Sequence, residues 1–345
     1  MKLNVLCLIT RYANIVVKEA SSMSLAKSAS LKQVSTFRTV ARLGSVSLAA
    51  EELHLSQSAV SIQIGALEAA AGTALIERTG RGVRVTEAGS LLLGYADRLM
   101  ALWNETSDEM ATLLGDFSGT LRVGAVTTAE HWLPRLLVRF IDQNPKVNVR
   151  LFACNRDEIV RHLAVHDIDL AVMGRPPTEL QVDARVIGEN PLAFVAAPSH
   201  PLASMPRLTL ARLSEVPLLV RERGSGTRTA VERLLKSAGL RLRIGSELSS
   251  NEAIKQMCVA GFAPAYLSML TCPLELDAGL LRVLPMPNNP SLSHWHAVRR
   301  SGQPVPKVAL AFEEFLVHAG GGEILSPIRQ HLPSALCPRR AKSSV

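Results

Sequence analysis

The fifteen residues from Ser47 to Ser61, SLAAEELHLSQSAVS, constrain this chain more than any other stretch. Ala49 and Ala50 are small enough for two helices to cross closely, and Leu53, Leu55, Val60 and Ile64 supply apolar side chains for the space between. His54-Leu55-Ser56 reads as the tight turn joining those helices. In the helix that follows, Val60, Ile64 and Leu67 share one face. At about 100° per residue, Ser58, Ser61, Ile62 and Gly65 fall on the opposite face. Upstream, Val34, Phe37, Val40 and Ala41 mark an amphipathic helix, and Ser45 or Ser47 can cap the short helix after it. Downstream, TALIERTGRGVRVT reads as two short strands around Gly80 and Gly82. Residues 31–90 are thus expected to form a winged helix-turn-helix.

A row of small residues on an outward helix face lets that helix approach the floor of a DNA major groove. Ser58 and Ser61 can then bond base edges or phosphates, Ile62 can touch a thymine methyl, and Gln57 can bond adenine or phosphate. Arg78, Arg81 and Arg84 sit in or beside the wing, where they can meet phosphate or enter the minor groove. The plainer alternative is a structural three-helix domain with small polar residues on its surface.

From Glu87 to about Leu114 a helix without proline is expected, about 40 Å long at 1.5 Å per residue, within a linker of residues 87–118. From Gly119 the rhythm changes to alternating strands and helices, which predicts an α/β domain with a mainly parallel sheet over residues 119–319. Strands are expected at Thr120–Ala125, Leu170–Met173, Leu192–Ala197 and Val216–Val220, and helices at Asp157–Val165 and Ala230–Ala238. The fold class is therefore α+β and multi-domain. Residues 1–30 read as a disordered extension, with Met1 or Met23 as the start, and the Gly-, Pro- and Ser-rich residues 320–345 as a loose tail.

Composition excludes several classes. Five scattered cysteines form no C-x-x-C and no metal spacing, so neither a disulfide framework nor a metal site is expected. No run of about 20 apolar residues is present, and Arg11 breaks the short apolar run near the N-terminus, which reads against a signal peptide. A cytoplasmic protein without membrane contact is expected. No nucleophile elbow, Walker loop or dinucleotide fingerprint occurs, so no enzyme and no bound cofactor are expected. His294 and His296 share a strand face but lack a third ligand. The formal net charge is +8, yet residues 1–119 hold eleven basic and eleven acidic residues, so the whole excess lies in residues 120–345. A grip on DNA would rest on a few placed arginines and helix N-termini, and the excess suits, at least in part, a small anionic ligand.

Residues 31–90 resemble the N-terminal domain of LysR-type transcriptional regulators. The matching positions include Phe37, Val40, Ser45, Ala49-Ala50, the run Leu53 to Ser61, Gln63-Ile64, Leu67-Glu68, Gly72, Leu75, Arg78, Val83, Thr86 and Gly89. Departures are Ile76 for the usual Phe, Gly65 for a basic or polar residue, and Ser58 for a frequent Pro. The resemblance adds Ser56 and Gln63 to the DNA-contacting set. It makes the long helix a dimerisation helix, with Leu92, Ala96, Leu99, Trp103, Met110 and Leu114 as its seam. It implies a homodimer or homotetramer on double-stranded promoter DNA, with RNA polymerase as a further partner.

Residues 119–319 resemble the effector domain of the same family, a fold shared with type 2 periplasmic solute-binding proteins. Lobe I would be 119–191 plus 293–319 and lobe II 192–290, with the ligand between them. The resemblance places Thr127 and Thr128 at that ligand. It does the same for the loop RERGSGTR, with Arg223, Gly224, Ser225, Gly226 and Thr227, whose glycines admit close backbone approach and whose helix start suits an anion. The stretches Asn155–Val160, Asp167–Pro177 and Ser250–Gln256 look most like regulators of carbon-fixation (RuBisCO, Calvin-cycle) operons, the CbbR-type branch. Such an activator would answer to a phosphorylated metabolite or NADPH, with Arg175, Asn251 and the Arg221/Arg223/Arg228 group suited by charge. Gly261–Ala265 departs from the branch near the expected cleft. Other readings are a LysR-type regulator of another operon, one using Cys258 and Cys272 as a redox pair, or a solute-binding protein.

Overall fold

Three serines start the first three long helices. The computed structural model describes residues 25–80, 82–113, 118–303 and 305–333. After a short helix α1 (Leu25–Ser28), Ser30 caps α2 (Leu31–Leu43) in a capping box with Gln33. Ser45, not Ser47, caps α3 (Val46–Glu52), and Ser56 caps α4 (Gln57–Ala71) by accepting from the Ala59 N–H. Gly44 and Gly72 end α2 and α4 in the left-handed conformation. Phe37, Val40, Ala49, Val60, Leu67 and Leu75 form the core of this unit.

Strands β1 (Ile76–Thr79) and β2 (Gly82–Val85) pair antiparallel as a wing. The wing is fixed at both ends. The Val83 N–H donates to the Gly44 carbonyl at 2.8 Å, and a Cβ at Gly82 would overlap that same oxygen. Glu68 on α4 accepts from the backbone N–H groups of Leu75 and Ile76 at 2.8 and 3.2 Å. Helix α5 (Glu87–Leu113) follows. The chain divides into two compact units, Met1–Trp103 and Asn104–Val345.

The second unit holds a nine-stranded sheet. Its elements are β3 (Gly119–Val126), α6 (Leu133–Gln143), β4 (Val147–Cys154), α7 (Arg156–Ala164), β5 (Leu170–Met173) and β6 (Val182–Ala196). Then come α8 (Leu210–Ser214), β7 (Leu218–Arg221), α9 (Gly226–Ser237), β8 (Ile244–Leu248), α10 (Asn251–Val259), β9 (Ala265–Ser268) and α11 (Pro273–Asp277). The last are β10 (Arg282–Val283), β11 (Ser291–Arg300) and α12 (Lys307–Glu323). The strand order is β4-β3-β5-β11-β6-β9-β7-β8, with β10 beside β6.

The sheet is mixed, against the expectation of a mainly parallel one. β3 is parallel to β4 and β5, and β7 is parallel to β8 and β9, but β6 and β11 run antiparallel to each other and to their neighbours. β6 starts ten residues before the expected Leu192, because it pairs along β11 from Val182 to Leu192 and along β9 only from Leu192 to Val195. These two long strands join the lobes.

The loose tail is also corrected. Helix α12 runs to Glu323, a 3-10 turn covers Ser326–His331, and Ile324, Leu325, Ile328 and Leu332 are buried in the main core. Gly320 is buried as well, where a Cβ would overlap the carbonyl oxygen of Ile187 on β6. Its glycine serves close packing and not a loop. The rest of that tail, 334–345, lies outside the described residues, as do residues 1–24 of the expected extension. Within that extension, Leu25–Ser28 is helical and Ala29 packs on the first core.

Candidate functional site

Two surfaces collect the residues singled out above. On α4, Val60, Ile64 and Leu67 are buried against the core. Gln57, Ser58, Ile62 and Gly65 are exposed, and Ser61 is half-buried. Ile62 is 71% exposed on a helix face that is otherwise small. Ser56 spends its hydroxyl on the Ala59 N–H and lies 2.9 Å from the Ser58 hydroxyl. Gln63 turns its Oε1 inward, where it accepts from the Thr36 hydroxyl at 2.5 Å. Arg78 and Arg84 are exposed in the wing, Arg84 pairing with Glu77 at 3.0 Å, and Arg81 lies outside the described residues.

The expected seam of α5 splits in two. Leu92 packs on the core of its own unit, beside the buried Ala96. Leu99, Trp103 and Met110 are exposed, as are Leu91, Tyr95 and Leu102. Leu114 lies outside the described residues.

The second surface is a cleft of about 530 Å³ in the second unit, within the size range of small-molecule sites. Thr127 and Thr128, in the 3-10 turn after β3, line it. So do Arg175, after β5, and Ser225, Gly226 and Thr227, at the start of α9. Ser225 is 4% exposed and holds the N-cap position, yet its hydroxyl makes no cap bond. Arg221 is 2% exposed and is held by four bonds. Its Nη1 donates to Thr127 Oγ1 at 3.1 Å and Asn251 Oδ1 at 2.6 Å, while Nε and Nη2 donate to the two Glu222 oxygens.

Three expected effector residues are not among the lining residues. Arg223 is exposed: β7 ends at Arg221, so the strand's alternation stops there and Arg223 lies in the turn that follows. Gly224, with φ 88°, presents its carbonyl to the Asp157 N–H at 3.4 Å. Asn251 stands behind Arg221 and braces it. Arg228 is also turned from the cleft, toward Glu232 and Glu247. The departure at Gly261–Ala265 is likewise away from the lining: Pro264 directly precedes β9 and its carbonyl accepts from the Leu219 N–H at 2.8 Å.

Sequence reasoning missed Arg156, Asn190 and Arg233 in the cleft wall. The signal for Arg233 was the start of α9. A helix from Gly226 puts Gly226, Thr229, Ala230 and Arg233 on one face, and all four line the cleft. His294 and His296 of β11 line it too. Burial holds His296 below the usual histidine pKa, with the Gly174 carbonyl acting in the opposite sense. Among the described residues no group of three or more His, Cys, Asp or Glu could hold a metal ion.

Cys258 and Cys272 are buried, and burial pushes both thiols up to about 12. Thiols so protected and protonated are poor nucleophiles. In a labelling experiment at pH 8 with an iodoacetamide-type reagent, the peptides carrying Cys258 and Cys272 are expected to stay unmodified until denaturant is added. Modification of either in the native protein would restore the redox reading.

A winged helix-turn-helix followed by a long helix and a two-lobed α/β unit with a polar cleft is the architecture of a bacterial one-component transcription regulator. Residues 31–90 match the family described as bacterial regulatory helix-turn-helix protein, lysR family, and residues 114–321 match the LysR substrate binding domain. The chain belongs to the LysR family. It is 38% identical over 288 residues to the RuBisCO operon transcriptional regulator of Allochromatium vinosum, covering 84% of this chain and 95% of that protein. It is 41% identical over 286 residues to the HTH-type transcriptional regulator CbbR of Rhodospirillum rubrum, covering 83% and 95%. Among solved structures it resembles the CcmR regulatory domain of Synechocystis PCC6803 in complex with 2-PG. That match has 31% identity, a TM-score of 0.56, and covers 59% of this chain and 97% of that one. It also resembles full-length CbnR complexed with its target DNA, at 25% identity and TM-score 0.58 over 84% and 99%. No described helix is long and apolar enough to cross a membrane.

Proposed function

We propose that this chain regulates carbon-fixation genes by binding promoter DNA in response to a small anionic metabolite held in the cleft. The observation that carries the reading is the cleft wall itself. Arg156, Arg175, Arg221 and Arg233, the pair Thr127 and Thr128 and an open helix start converge on one cavity, in a chain similar to regulators of RuBisCO operons. On this reading the protein acts in the cytoplasm, has no catalytic step, and works as a homodimer or tetramer through Leu99, Trp103 and Met110.

In the DNA-bound form, α4 enters the major groove with Gln57, Ser58, Ser61 and Ile62 toward the bases. Arg78, Arg81 and Arg84 flank it on phosphate or in the minor groove. Ser56 caps the helix and so aims its first N–H groups at phosphate. An effector that favours one arrangement of the lobes shifts the population of DNA-bound states by its difference in affinity for them.

A gel-shift with the intergenic DNA upstream of the chain's own gene, with and without 2-PG or NADPH, tests this. A sequence-specific shift altered by one of these anions is expected, and no specific shift under any condition overturns the reading. Ser61→Arg is expected to weaken operator binding roughly tenfold or more by filling a groove-facing position, with an unchanged melting temperature. Retained affinity would remove α4 from the groove.

A further inference from the structure

Carboxylates already hold two of the four arginines that line the cleft. Glu222 pairs with Arg221 through both oxygens, at 2.8 and 3.0 Å. Arg156 Nη1 donates to Glu179 Oε1 at 3.2 Å and to Asp157 Oδ1 at 3.3 Å. Arg175 and Arg233 have no ion-pair partner among the described residues.

Glu179 differs from Glu222 in where it sits. It comes from the segment between β5 and β6 and itself lines the cleft. Its second oxygen accepts from the Thr178 backbone N–H at 2.7 Å. Backbone N–H bonding first, and then Arg156, hold its carboxyl below the usual glutamate pKa, against the opposing effect of burial. A charged carboxylate therefore stands inside a cationic cleft. It is held by a guanidinium and a backbone N–H, the groups that recognise phosphates and carboxylates.

We infer that Glu179 is a built-in competitor for Arg156, which an anionic effector must displace, so that Glu179 sets which anions the cleft accepts. The inference rests on the effector reading of the cleft. The geometry suits the role. Arg156 is 18% exposed and fixed at the start of α7, whereas Glu179 is 50% exposed on a segment without regular structure. Water screens the pair, so it yields at small cost. A weakly charged anion meets Arg175 and Arg233 and leaves the Arg156–Glu179 pair closed. A more highly charged one replaces the Glu179 carboxylate on Arg156 and gains a third guanidinium. Glu179 thus discriminates by ligand charge.

The test is a double-mutant cycle on the full chain, with 2-PG titrated calorimetrically into wild type, Glu179→Gln, Arg156→Gln and the double variant. Glu179→Gln keeps the size, removes the charge and leaves one acceptor oxygen in place of two. It is expected to tighten 2-PG binding about fivefold, the scale of one screened charge at contact range. The gain is expected to vanish in the Arg156→Gln background. Inorganic phosphate, the smaller anion, is expected to gain less than 2-PG. Melting temperatures without ligand are expected to match within a degree or two on the scale of an exposed pair. Unchanged or weaker 2-PG binding by Glu179→Gln overturns the inference. So does a gain that persists without Arg156, because Glu179 would then act by plain repulsion. If 2-PG fails to bind the wild-type protein while Glu179→Gln binds it, the competitor is confirmed in an extreme form. Failure of all four proteins to bind 2-PG or phosphate overturns the effector reading beneath it.

Discussion

Replacing Gly320 by alanine is expected to destabilise the second unit by about 3 kcal/mol, the upper part of the range for overpacking a core. A Cβ at that position would run into the carbonyl oxygen of Ile187, and Ile324 Cδ1 stands 3.3 Å away on another side. The oxygen belongs to the backbone of β6, at the register shift between the Val186 and Gly188 pairs with β11, so backbone and not a flexible side-chain tip would have to move. Gly321 is the internal control. Nothing lies within 4 Å of a Cβ there, so Gly321→Ala on the same helix is expected to be neutral or to stabilise by up to about 1 kcal/mol. Urea unfolding followed by circular dichroism measures both. Equal midpoints for Gly320→Ala and wild type would mean that α12 does not pack on β6 as described.

The second large effect is expected at Arg221. Arg221→Met keeps an extended apolar stem and removes the guanidinium that serves Thr127, Asn251 and both oxygens of Glu222. Removing one partner of a buried charge pair costs about 3–5 kcal/mol. The expected loss here is about 3, because Glu222 is 21% exposed and can turn to water. Binding of 2-PG is expected to fall beyond detection by calorimetry, while a gel-shift without effector is retained. Arg221→Lys is not expected to rescue it, since an ammonium cannot reproduce a fork that bonds four acceptors. An Arg221→Met protein that binds 2-PG as tightly as wild type would show that Arg221 and the groups it holds do not serve the anion site.

The reader domain was largely legible in the sequence because its determinants are local. Caps fall one residue before each helix, buried positions recur at three and four residues, and the wing turns at glycines within a few residues. The cleft was legible only in part. Thr127, Thr128, Arg175 and the Ser225–Thr227 run line it, but Arg223 does not. Placing the end of β7 one residue early and the start of α9 four residues late left the turn at Glu222–Ser225 unread, and with it the outward course of Arg223. The same slip hid Arg233. The antiparallel course of β6 and β11 is set by pairings across more than a hundred residues, such as Arg300 with Val182, and no short-range pattern encodes it. Gly320, Gly321 and Gly322 read as loop by composition, whereas Gly320 marks a close approach of helix to strand. Nothing in the composition separates those two uses of glycine.

The bonds from the Leu75 and Ile76 N–H groups to Glu68, and from the Val83 N–H to the Gly44 carbonyl, have a consequence for how a promoter is read. They weld α4, the wing and the end of α2 into one piece. A piece so joined keeps the distance between its groove contact and its flanking contact whatever happens in the other unit. The bases protected within each half-site are therefore expected to be the same with and without the metabolite. The change is expected instead in the interval between half-sites and the curvature of the DNA that spans it.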